Sequence, residues 1–452
     1  MLKQETINRL HELTEQTGER ILQAADYIWK NPETGYREWK TSAYAAKQFE
    51  ELGYTLTHMG NIPGFYTDLD TKRPGPTLAI LGELDSVICH GHPDADLTTG
   101  AVHACGHHTQ MAYLIGAAAV LRDKEILEGL SGKIRFIAVP AEELIEIGYR
   151  CSLREQGIIK YFGGKVELLF RGVFDNVDAV AMIHSGGSGE KSLSVYKGNN
   201  GCIAKNITYL GQAAHAGGSP HQGINALYAA ALGMQAINSI RETFIEENIT
   251  RVHPIITEGG AAVNVIPETV RLESFVRGST PEAIVTENRK VNRALAGAAV
   301  SIGARLKLND IPGYMPLHNN KDLNELTHAV GALMLGDDKA EITDLWHGGS
   351  TDMGDICCVL PAVHITVNGG RGIAHGDNYF IDDHDIACID STRCITGLAC
   401  ALLSDNGARL MEVKANFTPF FKDYSAYFEF VDKMYIDKEV VSYEDDRIVV
   451  AF

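Results

Sequence analysis

Thr77-Leu78-Ala79-Ile80-Leu81-Gly82-Glu83-Leu84 is a short, nearly continuous apolar run that ends directly on Asp85. A strand covered on both faces of a sheet reads this way, whereas a half-exposed strand alternates apolar and polar residues. Three further runs repeat the pattern. Lys133-Ile-Arg-Phe-Ile-Ala-Val139 ends on Pro140-Ala141-Glu142-Glu143, and Val177-Asp-Ala-Val-Ala-Met-Ile183 ends on His184-Ser185-Gly186. Val363-His-Ile-Thr-Val367 leads through a glycine-rich loop to Ile373-Ala374-His375. Helical spacing fills the intervals: residues 5–52 read as two amphipathic helices around Asn31-Pro32-Glu33-Thr34-Gly35, and Met111, Leu114, Ile115, Ala118 and Leu121 form one apolar stripe. The expected fold is α/β, a mixed sheet between helical layers.

In open α/β sheets, loops beyond the carboxyl ends of strands converge on one crevice. Asp85, Glu142, Glu143, His184 and His375 all lie beyond such ends, and so does Val102-His103-Ala104-Cys105-Gly106-His107-His108-Thr109-Gln110. Cys105 and His107 are two residues apart, which a helix would splay, but a turn containing Gly106 can aim a thiolate and an imidazole at one ion. Taken alone, this stretch is equally a buried cysteine beside surface histidines. The recurrence of Asp, Glu-Glu, His and His after buried strands favours a metal site shared by Asp85, Cys105, His107, Glu142, Glu143, His184 and His375.

The 452 residues exceed one ordinary core and predict two domains. A net charge of −18 repels phosphate backbones and anionic membranes, so neither nucleic acid nor membrane is an expected partner. Nine scattered cysteines suit a reducing compartment, and the first residues lack the order of a secretion signal, so a cytoplasmic protein is expected. His90 and His92, between Asp85 and Cys105, read as surface loop residues.

Between 195 and 312 the pattern changes to strand, helix, two strands, helix, strand. Cys202–Leu210 alternates, Ser219 and Pro220 read as a helix start, and Val252–Glu258, Thr269–Arg277 and Arg305–Leu308 read as strands. This order predicts a compact, ferredoxin-like α+β unit, 195–312, inserted between segments 1–194 and 313–452 of the larger sheet domain. The last segment carries an aromatic-rich extension after about 405, expected to pack on the catalytic domain or another subunit.

His103-Ala-Cys-Gly-His107, Pro140-Ala-Glu-Glu143, Ile183-His184-Ser185-Gly186, Gly211-Gln-Ala-Ala-His-Ala216 and Gly259-Gly260 with Asn264-Val-Ile-Pro267 together resemble the M20 metallopeptidases, in particular the amidohydrolase subfamily. Gly349-Ser-Thr-Asp-Met-Gly-Asp355 looks closest to the aminobenzoyl-glutamate hydrolase subunits and related M20 dipeptidases. The resemblance implies hydrolysis of an N-acyl or N-aroyl amino acid, or of a small dipeptide, by two divalent ions (zinc or manganese, with cobalt possible). It implies ligands Cys105, His107, Glu143, His184 and His375, with Cys105 bridging, and Glu142 as general base. Asp85 orients a ligand histidine from behind. His215 and Asn264 correspond to residues that reach substrate, often across a dimer interface, and Arg277 offers a clamp for a substrate carboxylate. The resemblance implies that 1–194 and 313–452 form the catalytic domain, that 195–312 is its lid or dimerisation domain, and that the assembly is a homodimer or higher homo-oligomer. At one place the chain departs from the subfamily: Gly-His-Asp is replaced by Gly106-His107-His108, which removes an acidic neighbour and adds an imidazole. Two other functions stay open at this point, hydrolytic deamination of an aromatic amine and metal binding without turnover. The intact Glu142 speaks against the second.

Overall fold

The computed structural model describes residues 2–187, 189–445 and 447–452. The chain forms two compact units, one of Met1–Gly198, His318–Trp346 and Asp355–Phe420, the other of Asn199–Leu317, His347–Gly354 and Phe421–Phe452.

The first unit is built on an eight-stranded mixed sheet, ordered Thr57–His58, Phe65–Asp70, Lys133–Val139, Thr77–Glu83, Ala179–Ser185, Ala362–Val367, Leu193–Val195 and Ala340–Ile342. Its four central strands are the apolar runs read from the sequence, and all four are parallel. Parallel pairing puts their carboxyl ends on one side, so residues distant in sequence emerge together there. Every residue of Thr77–Glu83 is buried, as its nearly continuous apolar pattern leads one to expect.

Helix His107–Leu121 lies against this sheet and is buried around nearly its whole circumference, more than the single stripe expected. The reason is a second layer, helices Gln4–Trp29 and Ser391–Leu403, packed on its outer side. Gly116 makes the close approach possible, since a Cβ there would meet Ile21 and Thr392 at 2.8 Å. The segment Asp385–Leu403 has the length and mean hydropathy, 1.5, of a membrane span, but 78% of it is buried inside the protein, as a core helix requires.

The second unit is a seven-stranded sheet, ordered Arg251–Val252, Thr269–Gly278, Gly201–Leu210, Arg305–Pro312, Ile436–Glu444 and Arg447–Val450, with Ile255–Glu258 also pairing Thr269–Gly278. Helices Ala226–Ile240 and Pro281–Ile302 pack on each other and on the central strands. Two expectations are corrected here. Ser219 and Pro220 open only a three-residue turn, and the helix starts at Ala226, where the Asn225 side chain accepts from Leu227 N at 3.0 Å and Tyr228 N at 3.1 Å. The extension after 420 groups with this unit instead of the catalytic one. Ile436–Glu444 pairs antiparallel with Arg305–Pro312, so backbone groups on that otherwise open edge are satisfied.

Candidate metal and hydrolytic site

Four loops and one strand bring the site together. Gly106 (φ 90°) lets the chain turn from Cys105 into the helix that starts at His107. Thr77–Glu83 delivers Asp85, Lys133–Val139 delivers Glu142 and Glu143, and His184 belongs to Ala179–Ser185. His375 (φ 65°) comes from the loop beyond Ala362–Val367, where its backbone N donates to Ala104 O at 2.8 Å.

Cys105 Sγ is the centre of the cluster. His184 Nε2 lies 3.5 Å from it and His375 Nε2 3.2 Å. Glu143 Oε1 is 3.0 Å from His375 Nε2. Three groups of potential ligand atoms each fall within 4.8 Å: Cys105 with His107 and His184, Cys105 with Glu143 and His375, and Glu83 with His107 and Glu142. Cys105 is common to the first two, the arrangement a bridging thiolate would have.

The donor set fits divalent transition ions, with a soft thiolate, imidazoles and a carboxylate. A geometric detail supports the fit. His107 Nε2 is 3.1 Å from Glu83 Oε2, and Glu143 Oε1 is 3.0 Å from His375 Nε2, yet neither His107 Nε2 nor Glu143 Oε1 has a hydrogen bond of acceptable angle. A divalent ion bound between these atoms would take the place of the ring protons and satisfy both partners. On its other side, His107 Nδ1 lies 3.0 Å from Asp85 O and 3.2 Å from Asp85 Oδ1, and Asp85 Oδ2 accepts from Glu143 N at 2.8 Å. One buried carboxylate therefore ties the His107 ring to the Glu143 backbone, which fixes the ring's orientation.

The electrostatics follow from the same contacts. Burial and Glu143 push the Cys105 thiol up, but His107 and His184 outweigh them and bring it down to about 6. Burial raises the Glu143 carboxyl, and His375 more than compensates, leaving it at about 2. The contact with Cys105, and the Glu143 carboxylate beside it, lift His375 to about 11. These shifts arise from protein groups alone and favour the ion-paired forms, thiolate and carboxylate among imidazolium rings.

His108 belongs to none of the three groups. It is buried beside His103 and Trp29, with ring centroids 5.6 and 4.9 Å away. Burial, with His103 next, pushes its imidazole well below the usual range. The remaining sequence candidates lie in the second unit. His215 is exposed and bridges to Val265, next to exposed Asn264, and Ala216 N donates to Asn264 O at 2.9 Å. Arg277 Nη1 donates to Ser350 Oγ at 2.6 Å, and its guanidinium lies 5.1 Å from the Phe275 ring centroid.

Sequence reasoning missed a network under the site. Glu83 is buried in the strand and takes an ion pair from Lys165 and a 2.6 Å hydrogen bond from Gln110 Nε2. Burial raises its carboxyl, but Lys165 and His107 outweigh burial and hold it well below the carboxylate range. The available signal was an acidic residue inside an otherwise apolar buried run. His92 departs from its expected surface position: it is 3% exposed, its Nε2 lies 2.8 Å from Tyr379 O, and its ring sits 4.7 Å from that of Phe380.

A parallel-cored α/β unit that gathers thiolate, imidazole and paired glutamates at its strand ends, with a separate α+β unit inserted, defines a metal-dependent hydrolase. Comparison with known proteins gives the particular kind. Residues 79–391 match Peptidase family M20/M25/M40, and the chain belongs to that family. It is similar to the indole-3-acetyl-aspartic acid hydrolase of Enterobacter agglomerans, at 29% identity over 61% of this chain and 70% of that protein. It is also similar to one p-aminobenzoyl-glutamate hydrolase subunit of Escherichia coli (strain K12), at 27% identity over 60% of this chain and 69% of that one. Among solved structures, a dinuclear metal binding peptidase from the M20 family of Bacillus subtilis has the same fold, with a TM-score of 0.64 at 20% identity over 86% of this chain and 99% of that one. The protein is thus an enzyme of the M20 hydrolases.

Proposed function

We propose that this enzyme cleaves the amide C–N bond of an N-acyl or N-aroyl amino acid, or of a small dipeptide, with two divalent ions and Glu142 as general base. The observation that carries the reading is Cys105 Sγ, shared between one group with His107 and His184 and another with Glu143 and His375. These five residues hold the ions, as zinc, manganese or cobalt. When bound, the ions supply Lewis acidity toward the amide carbonyl and lower the pKa of water toward neutrality.

The protein's own contributions follow from its geometry. Glu142 is buried beside Glu83 and His107. Its carboxylate takes a proton from the attacking water and returns it to the leaving nitrogen. Asp85 keeps the His107 ring from turning. His215 Nδ1 accepts from Gly217 N at 3.2 Å and Gly218 N at 2.8 Å, so the proton of the neutral ring sits on Nε2, which can donate to a substrate oxygen. Asn264 offers a second neutral donor beside it, and Arg277 pairs with the substrate carboxylate. The names of the two hydrolase relatives, each pointing to an amino-acid conjugate with free carboxylates, support such a substrate.

The enzyme works as a cytoplasmic homodimer. The exposed edge strand Ile255–Glu258 of the inserted unit, with Ile255 and Ile256 on the surface, supports self-pairing. A screen of the purified, metal-loaded enzyme against N-acyl amino acids, N-aroyl amino acids and dipeptides tests the reading, with free amino acid and ammonia measured in parallel. Stoichiometric amino-acid release is expected. Ammonia release without amide cleavage would replace the proposal with hydrolytic deamination.

A further inference from the structure

The turn that carries Glu142 and Glu143 is held in an unusual way. Ala141, a residue with a side chain, has φ 56°, in the left-handed region that such residues avoid. A strained turn persists only when its surroundings over-determine it. Here the surroundings include one buried guanidinium, one buried carboxyl group and a backbone amide. Arg150 is 1% exposed and comes from helix Ile147–Glu155, in the segment 144–161 that follows the two glutamates. Its Nη1 donates to Ala141 O at 3.3 Å and to Phe162 O at 2.5 Å, and its Nη2 donates to Glu143 O. From the opposite side, Glu38 Oε1 accepts from Ala141 N at 2.7 Å, and Gly164 N donates to Ala141 O at 3.0 Å.

Among the described residues, none of the Arg150 hydrogen bonds goes to a carboxylate. A buried cation satisfied by backbone carbonyls is costly, and stability alone gives no reason to keep one, since apolar packing would serve as well. The first-unit backbone also makes room for it. A Cβ on Gly35 would lie 2.6 Å from Arg150 Nη2 and 3.0 Å from Ala141 Cα, and the ring of Tyr36 (φ 62°) lies 5.5 Å from the guanidinium carbon. Lysine could not do the same work. It is a point donor, whereas the planar guanidinium reaches three carbonyls on both sides of the turn at once.

We infer that Arg150 is a positioning residue for the general base Glu142 and the metal ligand Glu143, acting by clamping the carbonyls of Ala141 and Glu143. The inference rests on the roles proposed above for these two glutamates. Arg150 touches neither substrate nor reacting atoms. Its effect is on the angle at which two adjacent carboxylates leave the turn, one toward Glu83 and His107, the other toward Cys105 and His375.

The test compares full-length wild type with Arg150→Ala and Arg150→Lys, each with and without added guanidinium at millimolar concentration. Hydrogen exchange of peptides covering 140–146 reads the turn without needing metal or substrate. Cobalt titration of stripped protein reads Glu143, and kcat and KM on an amide cleaved by wild type read Glu142. In Arg150→Ala, exchange in 140–146 should accelerate while helix His107–Leu121 keeps its protection. Cobalt affinity and kcat should each fall by about 10- to 100-fold with KM nearly unchanged, and guanidinium should restore part of all three. Arg150→Lys should recover less than guanidinium does. Uniformly faster exchange across the unit, an insoluble pair of variants, or unaltered cobalt affinity and exchange would each overturn the inference. Wild type that binds cobalt yet cleaves no amide would instead refute the proposed function, and exchange and affinity would still decide on Arg150.

Discussion

Gly106 compresses the site's requirements into one residue. A Cβ there would lie 2.8 Å from Tyr379 Oη and 3.0 Å from Ser185 Cβ, and the backbone sits at φ 90°. Gly106→Ala should therefore cost about 1–3 kcal/mol from backbone strain before any clash is counted. It should also displace Cys105 and His107, so thermal unfolding and bound metal should fall together. Retention of both would mean the turn tolerates a side chain. Protons tell the same story. The Glu143 carboxyl is lowered from 4.5 to about 2, so its contribution to stability is present above the unfolded value and is lost as pH falls from about 4.5 toward 2. His375 is raised from 6.5 to about 11, so its contribution is present below 6.5 and is lost as pH rises toward 11. Stripped protein should accordingly lose urea resistance on both sides of that window. Because an ion must displace the His375 proton, metal uptake near pH 7 should release protons and tighten as pH rises, which calorimetry in buffers of different ionisation heat would detect.

At the level of elements, the legible parts were those whose physics is local. Thr77–Glu83, Lys133–Val139 and Ala362–Val367 announce themselves as short, mostly apolar runs, and the residues after them mark the strand ends. The parts that were not legible depend on distant partners. Polar Cys89-His90-Gly91-His92 reads as surface, but His92 is covered by Trp29 and Phe380, which lie far away in the chain. Helix His107–Leu121 shows a stripe in sequence but is buried on its outer side as well, by helices from both ends of the catalytic segments. Ile436–Glu444 carries Asp437, Lys438 and Glu439 in an exposed row, so nothing in its pattern marks it as the partner of Arg305–Pro312. That pairing makes a prediction. Removing 436–452 leaves the Arg305–Pro312 edge open, so the shortened chain should melt earlier and aggregate, as light scattering during a thermal ramp would report. An unchanged melt would mean the extension is dispensable to the second unit.

For the whole molecule, the proposed chemistry needs residues from two separate units. The metal-capable cluster, Glu142 and the clamped turn belong to the first, while His215, Asn264 and Arg277 belong to the second. If the second unit of one protomer serves the site of its partner, mixing His215→Ala with Glu142→Gln chains should restore activity, because one site of each hybrid dimer then has both residues intact. Hybrids that form, as distinguishable tags would demonstrate, but stay inactive would place His215 within its own chain or outside the reaction. The same hybrids test assembly, since Ile256→Lys on the exposed edge strand should prevent them from forming.

The central claim is a division of labour between two adjacent glutamates, and one comparison tests it most directly. Turnover and bound metal per chain are to be measured for Glu142→Gln and Glu143→Gln side by side. Glu142→Gln should keep its metal and lose about two to four orders of magnitude in turnover, since it preserves shape but removes the base. Glu143→Gln should lose metal. Glu142→Gln protein that loses metal as severely as Glu143→Gln, or that turns over at the wild-type rate, would contradict the account.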